Sequence, residues 1–274
     1  MSSVANNGVS MPQPIAGLTT ACLKNIGFVL TDFDDTLTLE GKLPDQTLSA
    51  LYRLQEAGIH VIPVTGGCAG WSDMMTRILP VSGVITEGGG VFMTRSSGSV
   101  NYQYFHDEAS MRVEQAAILT MVEPRLKRFE ALRLTKDQAY RLTDVAIDYA
   151  QDVQPPAEQE KEMLLAELRS LGLNAKASSI HINICQKGVD KYAMANKILS
   201  EKYGLSPEQQ KVNVLYVGDA PNDESMFAQF PISVGVANIA PHLPVLTHKP
   251  AYITQGKGGL GFAELAEILL DAQN

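Results

Sequence analysis

Long apolar runs are missing from this 274-residue chain. A helix that crosses a bilayer needs about 18 or more consecutive apolar residues, so a membrane-spanning role is not expected. Cysteine is scarce: Cys22, Cys68 and Cys185 are widely spaced and odd in number. That argues against a disulfide framework or a zinc site and fits a reducing cytoplasm. Basic residues are too few to offset the acidic ones. Lys plus Arg number 22 against 30 Asp plus Glu, for a net charge of −8. Non-specific binding to nucleic acid or to an anionic membrane is therefore disfavoured. The five histidines show no metal-binding spacing of the H-E-x-x-H kind. Glycines 88–90 in 87-EGGGV-91 lack the G-x-G-x-x-G spacing of a dinucleotide site. No internal repeat or low-complexity tract occurs. Residues 1–24 lack a basic segment followed by a long apolar one and read as a loose tail, not a signal peptide.

What is present alternates. Ile26–Thr31 is a short apolar run that reads as a buried strand. Pro44–Ala57 carries Leu48, Leu51 and Leu54 at helical spacing, with Gly58 as a C-terminal stop. Strand signals return at 59–64 and 83–86, with a helix over 71–79 between them. After the middle of the chain the same rhythm resumes: helix 190–203, strand 212–217, helix 222–229, strand 232–236 and helix 261–270. Strands alternating with helices predict a parallel α/β sheet. The middle differs. Residues 100–105, 141–149 and 179–185 alternate apolar and polar, as strands with one face in the core do, and helices are expected over 108–133 and 157–171. The expected organisation is a tail (1–24), an α/β core (25–91 and 187–274) and an inserted α+β cap (92–186).

Three of the core strands end in chemistry. The first ends in Asp32, Asp34 and Asp35, the second in Thr65-Gly66-Gly67, and the strand at 212–217 in Gly218-Asp219, with Asn222 and Asp223 next. Ligands of an open parallel sheet bind beyond the carboxyl ends of its strands. One such cluster alone reads as a solvated, helix-capping turn. Three with the same carboxylate excess point to one site, and like charges so gathered call for a cation.

These motifs resemble those of the haloacid dehalogenase superfamily of aspartyl-phosphate phosphatases. D-x-D-x-T stands as 32-DFDDT-36 and the strand ending in Thr as 61-VIPVTGG-67. Lys191 opens a helix in 187-KGVDKYAMANKIL-199, and G-D-x-x-N-D stands as 218-GDAPND-223. The order and spacing match over nearly all of the chain after residue 25. The insert between the second and third motifs is similar to that of the large α/β-cap branch, which includes Cof-type, sucrose-phosphate and mannosyl-3-phosphoglycerate phosphatases. The resemblance implies a Rossmann-like, mainly parallel sheet with an inserted cap, and a Mg²⁺-dependent phosphomonoesterase for a small, sugar-like phosphate. It implies Asp32 as nucleophile and Asp34 as general acid and base. Asp32, Asp34 (through its carbonyl), Asp219 and Asp223 would hold the metal. Thr65, Gly66, Lys191 and Asn222 would bind phosphate. A phosphomutase of the phosphomannomutase type, or a weakly catalytic phosphate-ester binder, are the alternatives.

Other residues are assigned structural roles. Asp35 belongs to the turn. Lys187 is a solvated hinge residue, because Lys191 follows a plausible N-cap, Asp190. Cys68 has no histidine beside it in sequence and reads as a packing residue. His181 reads as a structural histidine of the cap. Two positions depart from the superfamily pattern: Gly67 stands where Arg is common, and Gly88 where Asn is common.

Overall fold

A computed structural model describes residues 11–273 of the protein. In chain order, β1 (Gln13–Pro14), α1 (Thr20–Leu23), β2 (Phe28–Thr31), α2 (Asp45–Glu56), β3 (His60–Pro63), α3 (Ala69–Ile78) and β4 (Val84–Thr86) open the fold. A hairpin of β5 (Val91–Ser96) and β6 (Ser99–Tyr104) follows, then α4 (Glu108–Leu126), β7 (Arg133–Leu134), β8 (Val145–Asp148), α5 (Glu158–Ser170), β9 (Asn174–Ala177) and β10 (His181–Cys185). The chain closes with α6 (Lys191–Glu201), α7 (Pro207–Asn213), β11 (Val214–Gly218), α8 (Glu224–Gln229), β12 (Ser233–Gly235), β13 (Tyr252–Ile253) and α9 (Gly258–Gln273).

The core sheet runs β1-β13-β12-β11-β2-β3, and its pairings are parallel. Consecutive residues of a strand face opposite sides, and both sides here are apolar. Val29, Val61 and Leu215 pack with Leu51 and Leu54 of α2 and Phe262 and Leu265 of α9. Leu30, Ile62 and Tyr216 pack with Met194 and Ile198 of α6 and Phe227 of α8. Burial on both faces is why β2 reads as the unbroken run Phe-Val-Leu-Thr. Residues 11–24, read from sequence as part of a loose tail, are ordered against this core. Gln13 and Pro14 pair with Tyr252 and Ile253, and Ile15, Leu18 and Leu23 are buried.

The inserted sheet is antiparallel, in the order β7-β8-β10-β9. Its outer face (Val145, Ile147, Ile182, Ile184) packs under α4 and α5 through Ile118, Val122, Leu164 and Leu168. The alternation therefore turns Ala146, Asp148, His181, Asn183 and Cys185 toward the core domain. The fold is an α/β parallel-sheet core with an α+β cap.

In the middle of the chain, three expected segments take other bounds or partners, and near its end the expected strand 212–217 starts only at Val214, because Pro207–Asn213 form α7. The β5–β6 hairpin pairs with β4, not with the cap sheet. Ser97 and Gly98 both take positive φ (51° and 86°) in its turn, the geometry of a tight primed hairpin. Helix α4 stops at Leu126, seven residues early, so that Phe129 and Leu132 turn into the cap core. Strand β8 starts at Val145, because residues 142–144 bend to donate their N–H groups to Glu87. Among the described residues no helix is long and apolar enough to cross a membrane.

Leu30 is fully buried at the centre of the sheet. Leu30→Ala is expected to cost about 2–5 kcal/mol, measured as a lowered urea midpoint at unchanged slope. A loss under ~1 kcal/mol would contradict this packing.

Candidate active site

The carboxyl ends of β2, β3 and β11 meet at one edge of the core sheet, under the cap. Asp32 directly follows β2 and is 5% exposed; Asp219 follows β11 and is 4% exposed. Lys191 opens α6, whose N-cap Asp190 accepts from Ala193 N–H at 2.7 Å. Its buried ammonium lies 2.9 Å from Asp32 Oδ1 and donates to Asp223 Oδ1 at 2.6 Å. Lys187 is exposed. Close approach of the core loop to this helix start requires Gly89, at φ 115°, because a Cβ there would strike the Asp190 carbonyl.

Asp223 is saturated by the protein. Oδ1 accepts from Lys191 and from the Tyr216 hydroxyl (2.5 Å), and Oδ2 from the N–H groups of Asp219 (3.0 Å) and Ala220 (3.2 Å). Asp219 keeps free acceptor capacity: Thr36 Oγ1 donates to Oδ1 at 3.1 Å and Asn238 Nδ2 to Oδ2 at 3.0 Å. Asn238 also donates to the Asp35 carbonyl at 2.9 Å, and Asp35 N–H donates to Thr38 Oγ1 at 2.9 Å. Asp35 takes φ 57° in this turn, a conformation Asp tolerates better than most.

Carboxylate oxygens of Asp32, Asp219 and Asp223 can lie within 4.8 Å of one another, and the three residues are buried. Burial pushes Asp32 up to about 7, with Lys191 opposing and Asp223 adding to the rise. Burial also raises Asp219 well above the usual carboxylate range, with Asp32 and Asp223 contributing. One lysine does not balance this cluster. A buried all-oxygen donor set with excess negative charge fits a hard divalent cation, with Asp32 and Asp219 as the side chains that still have free lone pairs.

Asp34 lines a cavity with Phe33, Thr65, Gly67 and His181. Burial, with Asp35 beside it, pushes its carboxyl up to about 6, while Lys191 and Arg141 pull it down. The Thr65 hydroxyl accepts from Gly67 N–H at 2.9 Å, which folds the loop tightly after β3. Gly66, Lys191 and Asn222 line a neighbouring cavity, and Asn222 Oδ1 is buried without a partner among the described residues.

The cap grips this loop. Arg141 Nη1 and Asn183 Nδ2 both donate to the Gly66 carbonyl, at 3.0 and 2.9 Å. Asp144 accepts from both, at 2.9 Å each, and Asp137 pairs with the far side of the guanidinium. A Cβ on Gly66 would come 3.0 Å from Asn183 Oδ1. Beneath them lies buried Glu87. Its carboxylate accepts from Ala69 N–H (2.9 Å), Leu142 N–H (2.9 Å), Thr143 N–H and hydroxyl (2.6 Å each) and Asp144 N–H (3.3 Å).

Residues 29–247 match the family of haloacid dehalogenase-like hydrolases. The chain belongs to that family. Its relatives include phosphoglycolate phosphatases from Methanothermobacter thermautotrophicus (26% identical; 86% of this chain and 95% of the relative covered) and Metallosphaera sedula (26%; 88% and 98%). Among solved structures it resembles the Thermoplasma acidophilum 0175 protein, with a TM-score of 0.67 at 17% identity, covering 89% of this chain and 98% of that one. The sucrose-phosphatase of Synechocystis gives 0.61 at 18%, covering 90% and 98%. Enzymes of this family generally use a divalent metal, and the acidic cluster described above suits one.

Within this hydrolase, the site residues read from sequence fall into three groups, two of which share Lys191. Asp32, Lys191, Asp219 and Asp223 form one cluster; Asp34 and Thr65 share a cavity, and Gly66, Lys191 and Asn222 share its neighbour. Cys68 is buried and its thiol is pushed up to about 11 by burial, so no thiolate nucleophile is available there. The sequence reading missed Arg141, Asp144, Asn183 and Asn238. The first three lie on cap segments far from the motifs, and only the inward phase of the β10 alternation hinted at Asn183.

Two outcomes follow. Glu87→Gln turns a donor toward the donors that the carboxylate serves, so unfolding stability should fall by about 2–4 kcal/mol; a loss under ~1 kcal/mol would count against the anchor. His181 is held near 4 by burial, with Arg141 adding. Protonation therefore favours the unfolded chain: stability present above pH 6.5 is lost as pH falls toward 4. His181→Phe should make that part of the stability–pH curve shallower, as read by urea melts at pH 4.5 and 7.

Proposed function

We propose that this family member is a Mg²⁺-dependent phosphomonoesterase that works through an aspartyl-phosphate. The observation that supports it best is the meeting of Asp32, Asp219, Asp223 and Lys191 at the strand ends, with Asp34 in the adjoining cavity. Asp32 and Asp219, with the Asp34 carbonyl, would hold the ion, and Asp223 supports the set from behind by fixing Lys191 and the Asp219 backbone. When bound, Mg²⁺ supplies charge that offsets the repulsion between carboxylate and phosphate.

The chain's own residues carry the steps. Thr65, the Gly66 amide and Asn222 hold the phosphate oxygens, and Lys191 balances their charge. A carboxylate oxygen of Asp32 forms a bond to phosphorus as the ester oxygen leaves. Asp34 gives that oxygen its proton. Water then attacks the phosphorus, Asp34 takes the water's proton, and Asp32 and inorganic phosphate are released. The raised carboxyl of Asp34 suits a group that must donate first and accept later. The unit that closes over the substrate is, in this reading, residues 107–186, because the β5–β6 hairpin pairs with β4, whose Ile85 bridges to Val64 beside the core sheet.

The substrate is a small phosphate monoester. We place 2-phosphoglycolate first, because four relatives of that name cover 86–88% of this chain. A sugar phosphate comes second.

The test is phosphate release from 2-phosphoglycolate, sugar phosphates and an aryl phosphate, with Mg²⁺ and with chelator. Chelation and Asp32→Asn should each abolish turnover, the substitution by on the order of 10³-fold or more. Asp34→Asn should slow alkyl esters by about 10²–10⁴-fold and the aryl ester less, since its leaving group needs no proton. Isomerisation of a sugar phosphate in the presence of its bisphosphate would instead favour a phosphomutase. Release that persists in Asp32→Asn would overturn the assigned nucleophile.

A further inference from the structure

His181 is out of place as a structural histidine. It is 5% exposed, yet its Nε2 has no hydrogen-bond partner among the described residues. A buried polar nitrogen without a partner is costly, so such a group calls for an explanation. Its place in the fold supplies one. The register of β10 turns His181 and Asn183 to the same side of the cap sheet, and Asn183 already touches the core at the Gly66 carbonyl. His181 lines the cavity that also holds Asp34, Thr65, Phe33 and Gln151.

A general acid must reach the oxygen that departs. If Asp34 fills that role, the alcohol half of the substrate occupies this cavity. We propose that His181 reads that alcohol: Nε2 completes its hydrogen bonding on an oxygen of the leaving group, so the preferred substrates are phosphate monoesters whose alcohol carries a second oxygen, carboxylate or hydroxyl. The inference rests on the phosphomonoesterase reading and adds to it a specificity residue from the cap. The ring is neutral at ordinary pH, since burial pushes it down to about 4. A neutral imidazole offers either N–H or a lone pair at Nε2, so it can donate to a carboxylate and can donate to or accept from a hydroxyl. A site built to hydrogen-bond such an oxygen discriminates against esters that lack it, because the buried partner is then left unpaired.

The experiment compares kcat/KM for 2-phosphoglycolate, glycerol phosphate and ethyl phosphate in the wild type, His181→Phe and His181→Gln. Ethyl phosphate lacks the second oxygen. The phenyl ring keeps the shape and removes the polar atom, while the glutamine amide restores a donor near the position of Nε2. Expected is a loss of roughly 10- to 100-fold in His181→Phe for the esters with a second oxygen. Ethyl phosphate should change less than about threefold, and His181→Gln should recover part of the loss. The larger of the two losses tells carboxylate from hydroxyl recognition. Equal loss on all three esters, or no loss on any, overturns the proposal. A parallel arm measures calorimetric binding of the same esters to Asp32→Asn with and without His181→Phe. Selective binding that vanishes with His181→Phe, when the wild type turns over none of the esters with Mg²⁺, sinks the phosphatase reading and keeps this one. Binding of the three esters that is equally strong or equally absent overturns this one, whatever the turnover.

Discussion

One ammonium group holds the site in shape. Lys191 sits between Asp32 and Asp223 with almost no contact with water. Burying a cation costs several kcal/mol unless its partners are close, and burying four carboxylates nearby costs more. Each charge is tolerable only because the others are fixed. Asp223 is held by Tyr216 and two backbone N–H groups, so it cannot swing away from the lysine. Asp219 is tied to Thr36 and Asn238, so it cannot relax toward solvent. The acidic surplus that remains is aimed at the space where a cation and a phosphate would compensate each other.

A second constraint joins cap to core. The Glu87 carboxylate gathers backbone donors from residues 142–144, and Arg141 and Asn183 take the Gly66 carbonyl. The loop that would hold phosphate oxygens is therefore shaped from both domains. A cap that opened would have to give up these bonds. In the described conformation these bonds are made, and Arg141, Asp144 and Glu87 are buried where electrostatic interactions are strengthened.

The core was legible because its signals are local. Runs such as Phe28–Thr31 end abruptly in carboxylates, and a parallel sheet sends strand ends to one edge. Lys191 could be told from Lys187 by its N-cap, Asp190. The cap was legible in outline, since alternation marks a sheet with one apolar face, but its partners were not. Arg141 looked like the start of a strand; it is instead the buried centre of a triad with Asp144, also buried, and the partly buried Asp137. Residue spacing does not reveal a contact with Gly66, 75 positions away. The β5–β6 hairpin was assigned to the insert for the same reason: pattern identifies a strand, while pairing decides which sheet it joins.

The two departures from the superfamily pattern look different once the backbone is known. Gly88 stands at φ 63°. Asn tolerates that left-handed conformation and Gly takes it freely, so the exchange preserves the turn that positions Glu87. A Cβ there would also come 3.0 Å from Cys185 Sγ, which favours glycine against this particular cap strand. At position 67 an arginine is gone, yet a buried guanidinium stands beside the neighbouring carbonyl, supplied by Arg141 of the cap. Its charge is shared with Asp137 and Asp144, so it shapes the loop more than it offers charge to a ligand. With charge at the loop thus spent on shaping it, selection of the substrate passes to the uncommitted groups that face the Asp34 cavity, and among the described residues that line it His181 is the one whose polar atom is buried and unpaired.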